Sequence, residues 1–521
     1  MSSTLLKQFV CLKTVNILRL DCVAAFNCLT QQEKLYSYYL SRAFAEGNRI
    51  VAIQTSPESP SLLSIFQKVF TYQRADTFKK EVKEKLNIDE EPINDFLIYA
   101  CNVFGNMGNY RSFGDTKIFP ALSRQQFEKI LFASTAFEKE NKFMTSIYNK
   151  IQDQLFDISN NVLRIGIDNH GINTYYSPNV TRKDAEFIQQ FLNENKIQAW
   201  NTRLWKLNDA EYELRLASSE RLPVKEYHYQ GVTIKIVTGD YSPIMKSMCD
   251  YLSEAIKYAS NDTQKKALEL YIQSFTTGDI EKHIEGSKYW IQDKGPVVEN
   301  YNGFIETYRD PVGVRGEYEG FVAIQNKEMT LTLQHLVEQA PVILPLLPWG
   351  KEYERDKFSK PDFTSIDILT YACGGLPSGI NIPNYEEVRQ TLGFKNYLYI
   401  YIYNSLGNVI NAHNSKDRVT FIREQDQQLY KRANEAFSVQ VGLHELLGHG
   451  SGKLFLQEKD KEGKEVFNFN YGQLKNIVTG EPVTSFYKDG ESWTSLYKDL
   501  ANPYEECRAE SVGIYLCILS L

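Results

Sequence analysis

Two histidines and a glutamate lie close together in the segment HELLGH at 444–449. Two imidazoles beside a carboxylate are typical of a hydrolytic zinc site. In the common HExxH pattern the histidines lie on one face of an α-helix. Here the longer spacing of His444 and His449 would place their rings roughly 140° apart on a regular α-helix. Gly448 could permit a π-type bulge or an early unwinding that turns both rings toward one ion, and Gly450 and Gly452 would then end the helix.

A third ligand is expected from a carboxylate on a neighbouring helix. The segment 502–510 has Asn502 as a candidate N-cap and Pro503 at the first helical position, followed by Glu505, Glu506 and Glu510. Alone, the two histidines could simply cap carbonyl groups, and the acids could form a solvated surface. Together they predict a His₂Glu zinc sphere with an open fourth position.

The predicted chemistry is metal-assisted amide hydrolysis. Zinc in such a sphere lowers the pKa of a bound water to about 7. Glu445, next to a ligand, would accept the proton as general base. Glu505 and Glu510 would accept hydrogen bonds from the imidazole N–H groups and fix their orientation.

The composition is that of a globular protein with more than one domain. The chain has 521 residues, of which 42% are apolar and 24% charged, with a formal net charge of −7. This length exceeds what one hydrophobic core supports. No stripe of Lys and Arg would neutralise a phosphate backbone and no apolar run reaches membrane-spanning length, so we expect neither a nucleic-acid nor a membrane partner. Eight scattered cysteines indicate a reducing, cytoplasmic location.

Periodicity indicates the elements that must position these groups. Ser123 with Gln126, and Thr181 with Asp184, are spaced as capping boxes ahead of amphipathic helices. Three prolines within 341–350 predict a strap between lobes in place of a regular helix, and helical patterning returns around 425–450. Alternating or apolar stretches predict strands of an antiparallel sheet near 212–216, 232–236, 303–310, 317–326 and 398–403.

The motifs HELLGH at 444–449 and EECRAE at 505–510 resemble the two signatures of the dipeptidyl peptidase III family of zinc exopeptidases. The resemblance extends through GFIETYRDP at 303–311, GEYEGF at 316–321, PWGKEYERDK at 348–357 and GINIPN at 379–384. It implies that His444, His449 and Glu506 hold one Zn²⁺ and that Glu445 is the general base. It also implies release of dipeptides from the free N-terminus of short peptides.

The resemblance also implies roles in substrate binding. The residues matching Glu306, Asn381 and Asn384 hold the substrate's amino terminus, and a carboxylate and amide carbonyls suit an ammonium group. Tyr308 would stabilise the tetrahedral intermediate, since a phenol can donate to an oxyanion. Glu319 would help shape the same subsites. Without the family, Tyr308 could be a plain strand tyrosine and Asn384 a turn residue.

The implied fold is α+β with two lobes separated by a wide cleft. One lobe contains a β-barrel-like antiparallel sheet with helices, and we place it at 1–326 and 365–415. The other is mostly helical and carries the zinc motif, and we place it at 327–364 and 416–521.

Two features depart from the family pattern. Members continue well beyond the position of Leu521, so we expect an incomplete helical lobe, weak zinc binding and little or no peptidase activity. Some members carry ETGE in a loop that engages the Kelch-type adaptor of the oxidative-stress response, whereas this chain has VTGE at 478–481. Because Val478 removes a carboxylate that arginines would read, we expect no binding to that adaptor.

Two alternative functions stay open at this stage. A catalytically inactive peptide-binding or regulatory protein would use the same amine-receiving residues without turnover. A thermolysin-like endopeptidase would share the ligand types but not the extra residue between the histidines.

Overall fold

The fold is a mixture of helices and three small sheets. The computed structural model describes residues 7–11, 13, 22–325, 327–355, 362–377, 379–399, 423–426, 439–460 and 462–519. The α-helices are α1 Val23–Asn27, α2 Gln31–Thr55, α3 Ser59–Tyr72, α4 Ala75–Leu86, α5 Glu90–Gly105, α6 Arg124–Phe132, α7 Thr135–Lys139, α8 Asn141–Asn149, α9 Gln152–Phe156, α10 Arg182–Glu194, α11 Ser242–Ile256, α12 Asp262–Thr277, α13 Ile280–Gln292, α14 Lys327–Ile343, α15 Glu386–Thr391, α16 Trp493–Tyr497 and α17 Ala501–Ile518. The strands are β1 Thr202–Asn208, β2 Glu211–Ala217, β3 Lys225–Tyr229, β4 Val232–Asp240, β5 Val298–Glu306, β6 Glu317–Gln325, β7 Asp362–Ala372, β8 Gly379–Ile382, β9 Lys395–Tyr399, β10 Gln457–Lys459 and β11 Glu465–Phe467. Short 3₁₀ helices are Lys7–Phe9, Asn160–Val162, Leu344–Leu346, Lys351–Tyr353, Glu424–Asp426 and Lys498–Leu500.

Both predicted capping boxes are confirmed. The Ser123 hydroxyl accepts from the backbone N–H of Gln126 at the start of α6, and the Gln126 side chain accepts in return. Thr181 and Asp184 make the same reciprocal pair at the start of α10. Each pair satisfies two N–H groups that a helix terminus leaves free.

Helices α3 to α9 form their own aromatic core. Phe66 of α3 meets Phe96 of α5 edge-on, with ring centroids 5.5 Å apart, and lies 6.4 Å from Phe127 of α6. All three side chains are fully buried. The periodic apolar positions of these helices therefore bury one stripe each.

A four-stranded sheet has the order β1-β2-β4-β3 and is mixed in direction. The strands predicted near 212–216 and 232–236 correspond to β2 and β4, but Tyr212 pairs with Ile234 in a parallel register. The prediction of a purely antiparallel sheet is therefore wrong here. The physical reason is the β3–β4 hairpin, which places its second strand beside β2, so that β4 repeats the direction of β2.

The larger sheet has five strands in the order β5-β6-β7-β9-β8 and is also mixed, because β7 and β9 run parallel. The strand predicted at 317–326 is β6. The strand predicted at 303–310 starts earlier and ends at Glu306, because the Asp310 N–H donates to the Thr307 carbonyl and closes a turn. Tyr308 therefore follows a strand and does not lie on one. In the last predicted strand, positions 398 and 399 belong to β9, and 400–403 lie outside the described residues.

The segment 341–350, which was predicted to be a strap without regular helix, begins as the end of a helix. Pro341 lies inside α14, which continues to Ile343 before the 3₁₀ turn at Leu344–Leu346. Ala340 and Ile343 are buried in a cluster with Leu446. We attribute the continued helix to this burial, which offsets the hydrogen bond that proline cannot make. Within the described residues, the helices are too short or too polar to cross a membrane.

Candidate metal centre

One turn of π-helix, His444–Gly448, begins at the first histidine and ends directly before the second, His449. The His449 N–H donates to the carbonyl of His444 at 3.0 Å, which is the i to i−5 bond of a π turn. The extra residue per turn brings the rings to 4.9 Å between centroids, at an interplanar angle of 85°. The predicted π-type distortion is confirmed.

Glycines allow the helix α17 to approach this turn closely. A Cβ on Gly448 would lie 2.6 Å from the Ala509 carbonyl oxygen, and one on Gly513 would lie 3.2 Å from the His444 nitrogen. Ala509, Val512 and Gly513 are buried on this side of α17. The glycine before His449 therefore serves close packing, because any side chain there would push the helices apart.

The close approach places Glu506 between the histidines. Its Oε2 lies 3.3 Å from His444 Nε2, and its Oε1 lies 3.8 Å from His449 Nε2. One ligand atom from each of the three residues falls within 4.8 Å of the others. Two imidazole nitrogens and a carboxylate oxygen at this spacing fit a transition-metal ion such as Zn²⁺.

The remaining ring nitrogens face two further carboxylates. His444 Nδ1 donates to Glu510 at 2.9 Å, and His449 Nδ1 donates to Glu505 at 3.0 Å. A carboxylate can only accept here, so each Nδ1 carries a proton, and each Nε2 is the ring nitrogen that faces Glu506 and could bind a metal. Arg508 holds Glu505 through Nε and Nη2, at 2.8 and 2.6 Å.

The start of α17 differs from the prediction. Asn502 does not cap the helix, which begins at Ala501 directly after the 3₁₀ turn Lys498–Leu500 and has no side-chain cap. The Asn502 side chain instead donates from Nδ2 to Thr307 Oγ1 at 2.7 Å. The Asn502 amide therefore makes a contact across the cleft.

Charges in this cluster reinforce one another. Burial alone would lower the pKa of His444, but hydrogen bonds to Glu506 and Glu510 and the nearby Glu445 raise it to about 9. Burial would raise the pKa of Glu505, yet Arg508 and His449 lower it to about 2. Burial would likewise raise the pKa of the candidate ligand Glu506, but hydrogen bonds from His444 and Tyr308 and the nearby His449 lower it. Glu505 and Glu506 are thus held ionised, which suits cation binding.

Glu445 is buried at 7% exposure and faces the same cleft. Burial raises the pKa of its carboxyl, and the neighbouring His449 and His444 oppose the rise. A carboxylate with a raised pKa is a better proton acceptor than an ordinary surface glutamate.

The cleft beside the metal centre has a volume of about 1120 Å³. It brings together every site residue predicted from the sequence. They are Glu306, Tyr308, Glu319, Asn381, Asn384, His444, Glu445, His449, Glu505, Glu506 and Glu510.

The Tyr308 side chain reaches across the cleft to the candidate metal ligand Glu506. Its hydroxyl donates to Glu506 Oε1 at 3.0 Å. The enclosing cleft and the carboxylates of Glu306 and Glu506 raise the pKa of Tyr308, although 45% of its surface is exposed. The phenol therefore stays protonated and can donate.

Burial also affects the residues that were predicted to receive the substrate's amine. Burial raises the pKa of Glu306 to about 7, and a hydrogen bond from Asn384 opposes this. Asn384 Nδ2 also donates to the Ile305 carbonyl at 3.2 Å. Glu319 is buried, and the Tyr371 hydroxyl donates to it at 3.4 Å.

The Asn381 side chain is hydrogen-bonded at both its oxygen and its nitrogen. Its side-chain oxygen accepts a hydrogen bond from Arg389, and its Nδ2 donates toward the Glu445 carbonyl at 3.5 Å. Arg389 uses one of the two lone pairs of this oxygen, and the contact of Asn381 with a substrate ammonium group stays a prediction. Arg389 lies eight positions after Asn381, on α15. Nothing in the sequence predicted that these two side chains would be in contact.

Arg508 and Asn502 were also missed as site residues. Arg508 follows Glu505 by one helical turn, so its pairing could have been found from the spacing. The contact of Asn502 with Thr307 joins distant parts of the chain and could not.

Comparison with known proteins agrees with this geometry. A model of peptidase family M49 matches residues 147–520. The chain is 45% identical to dipeptidyl peptidase 3 of Nematostella vectensis over 98% of this chain and 71% of that protein. It is 43% identical to dipeptidyl peptidase 3 of Homo sapiens over 98% of this chain and 70% of that protein.

A solved structure shares the fold. The structure of DPP III from Caldithrix abyssi superposes with a TM-score of 0.54 at 16% identity, covering 94% of this chain and 71% of that one. The family model and the curated relatives agree, and the chain is therefore a member of peptidase family M49.

Proposed function

We propose that His444, His449 and Glu506 hold one Zn²⁺ ion and that Glu445 is the general base of a dipeptide-releasing peptidase. As a member of peptidase family M49 with dipeptidyl peptidase 3 relatives, the chain is a metallopeptidase that releases dipeptides from short peptides. The observation that carries the assignment is the convergence of three ligand atoms within 4.8 Å of one another.

Bound zinc would activate a water molecule and polarise the scissile carbonyl. Glu445 would take a proton, since its buried carboxyl has a raised pKa. Tyr308 would turn from Glu506 to donate to the oxygen of the tetrahedral intermediate. Glu505 and Glu510 would keep both imidazoles oriented.

Recognition of the substrate's ammonium would set the cleavage position. Glu306 provides a carboxylate at the cleft wall, with Asn384 beside it, and Glu319 lies in the same cleft. An amine fixed there would place the second peptide bond near Glu445. Asn381 would receive the ammonium through the second lone pair of its side-chain oxygen, which Arg389 orients.

The test compares the native chain with Glu445→Gln on a dipeptidyl-naphthylamide. The glutamine variant should keep its zinc and lose release of the dipeptide by at least about a hundredfold, since general-base catalysis contributes about 10²–10⁴-fold. Undiminished release would overturn the role of Glu445.

An N-acetylated peptide of the same sequence separates the exopeptidase from an endopeptidase. A cleft that measures from the free amine should leave the blocked peptide intact. Cleavage of the blocked peptide at the same rate as the free peptide would favour a thermolysin-like endopeptidase.

The broader assignments are part of the proposal. We place a β-barrel-like sheet lobe at 1–326 and 365–415 and a helical lobe at 327–364 and 416–521. A cytoplasmic location accords with the eight free cysteines. We propose no nucleic-acid, membrane or Kelch-type adaptor partner.

A further inference from the structure

We propose that Thr307 and Asn502 form a pair of positioning residues that hold Tyr308 at the correct distance from the metal ligand Glu506. Asn502 Nδ2 donates to Thr307 Oγ1 at 2.7 Å. Tyr308 directly follows Thr307, and its hydroxyl donates to Glu506 Oε1 at 3.0 Å. The inference rests on the proposed roles of Tyr308 and Glu506.

Two hydrogen bonds thus join the segment that follows β5 to the first turns of α17. Asn502 and Glu506 are four residues apart on α17, so their side chains lie one above the other on one face. Thr307 and Tyr308 are adjacent after β5. The bond from Asn502 to Thr307 fixes the separation of the segments even when the Tyr308 hydroxyl leaves Glu506 to reach a substrate oxygen.

The Thr307 end of the pair is rigid. Thr307 is 5% exposed, and its carbonyl accepts from the Asp310 N–H at 3.2 Å. Arg309 is fully enclosed and pairs with Glu317 at 2.9 Å. The Asp310 carboxylate accepts from three backbone N–H groups of the following turn. A hydroxyl held on such a turn is a fixed reference point for the helix.

The Asn502 side chain makes its hydrogen bond outside its own helix. An asparagine at the start of a helix commonly caps the first N–H groups, but no side chain caps α17. Asn502 is the second residue of α17, and its Nδ2 bonds to a residue 195 positions back along the chain. The nearby Lys498–Glu186 pair, at 3.4 Å, joins this end of the helix to α10, but both partners are exposed, and such pairs contribute little.

This arrangement predicts an effect on kcat more than on KM. Neither Thr307 nor Asn502 is needed to receive the substrate's amine in the proposed mechanism. A shift of the Tyr308 hydroxyl would instead weaken its contact with the developing oxyanion, and misplacement by about 1 Å can cost up to about a hundredfold.

The experiment uses the full chain with Thr307→Val, Thr307→Ser, Asn502→Ala and the double variant Thr307→Val/Asn502→Ala. Thr307→Val and Asn502→Ala should each lower kcat about tenfold, with KM within about twofold and zinc content unchanged. Thr307→Ser keeps the hydroxyl and should restore kcat. The double variant should be no slower than either single one, because both changes remove the same bond.

A second readout does not depend on turnover. Hydrogen–deuterium exchange of the metal-free protein should be faster in peptides covering 305–310 and 501–506 for Thr307→Val and unchanged for Thr307→Ser. Additive losses in the double variant, or exchange that is the same in all variants, would overturn the pair. If the native chain releases no dipeptide while the exchange pattern appears, the proposed function fails and the pair stands.

Discussion

The backbone of Gly448 lies so close to Ala509 that a Cβ at position 448 would sit 2.6 Å from the Ala509 carbonyl oxygen. This contact sets the distance between the turn that carries both histidines and the helix that carries Glu506. Gly448→Ala should therefore separate the ligands. We expect a loss of about 1–3 kcal/mol in the free energy of unfolding from overpacking, and at least about tenfold weaker zinc binding.

The matched control is Gly105→Ala, at the exposed end of α5, where a Cβ would meet nothing within 4 Å. Its zinc affinity should equal that of the native chain. Competition with a chromophoric chelator measures both variants. Equal affinity in Gly448→Ala would show that the helix spacing does not control the ligand set.

Glu510 should tune zinc affinity without being a ligand. It accepts the His444 Nδ1 proton at 2.9 Å. Glu510→Ala removes this acceptor and should weaken zinc binding by about 10–100-fold. Glu510→Gln keeps a neutral acceptor and should fall in between. Glu458→Ala, on the exposed strand β10, serves as the control in the same titration. An unchanged affinity in Glu510→Ala would contradict the orienting role.

His283 predicts how stability depends on pH away from the metal centre. It is buried, accepts from the Tyr385 hydroxyl at 2.8 Å and contacts the Asn302 carbonyl at 2.7 Å. Burial lowers its pKa from 6.5 to about 4. Between these values the unfolded chain binds a proton that the folded chain excludes, so stability falls as pH falls through this window. The contribution is complete above pH 6.5 and its loss is at most about 3 kcal/mol.

Urea unfolding of the native chain and of His283→Gln between pH 7 and pH 4 checks this. The variant should be less stable at pH 7 but lose less stability on acidification. His228→Gln, at an exposed position of β3, should keep the native slope. Parallel curves for the native chain and His283→Gln would rule out His283 as the source.

Val478 predicts a gain of binding on substitution. It is 88% exposed at the tip of a turn in which the Asn476 side chain accepts from the N–H groups of Val478 and Thr479. Val478→Glu restores a carboxylate and should raise affinity for a Kelch-type adaptor by about 10–100-fold. Val478→Gln, which adds a similar volume without charge, should not. Calorimetry with the isolated Kelch domain would measure both, and equal binding by the two variants would exclude charge recognition.

Much of the metal centre was predictable from local sequence. The spacing of His444 and His449 required a helix distortion, and the π turn supplies it. The capping boxes at Ser123 and Thr181 were equally local, since each depends on two residues three positions apart. Patterns of this kind depend on neighbours in sequence, so they survive without knowledge of the tertiary structure.

The features that were mispredicted depend on distant partners. Asn502 was expected to cap its helix, but the helix begins one residue earlier at Ala501, and the Asn502 side chain donates from Nδ2 to Thr307. Strand β4 was expected to run antiparallel to β2, but a hairpin with β3 reverses it. Pro341 was expected to exclude helix, but burial beside Leu446 accompanies its continuation. Sequence periodicity carries no information about which distant group competes for a side chain.

The most direct measurement is the zinc content of the purified chain by mass spectrometry, alongside His449→Ala and Glu506→Gln. After reconstitution with zinc the native chain should contain one zinc ion per molecule, and each variant should contain far less after the same treatment. A native chain free of zinc after reconstitution, or variants that retain one equivalent, would contradict a common site formed by His444, His449 and Glu506.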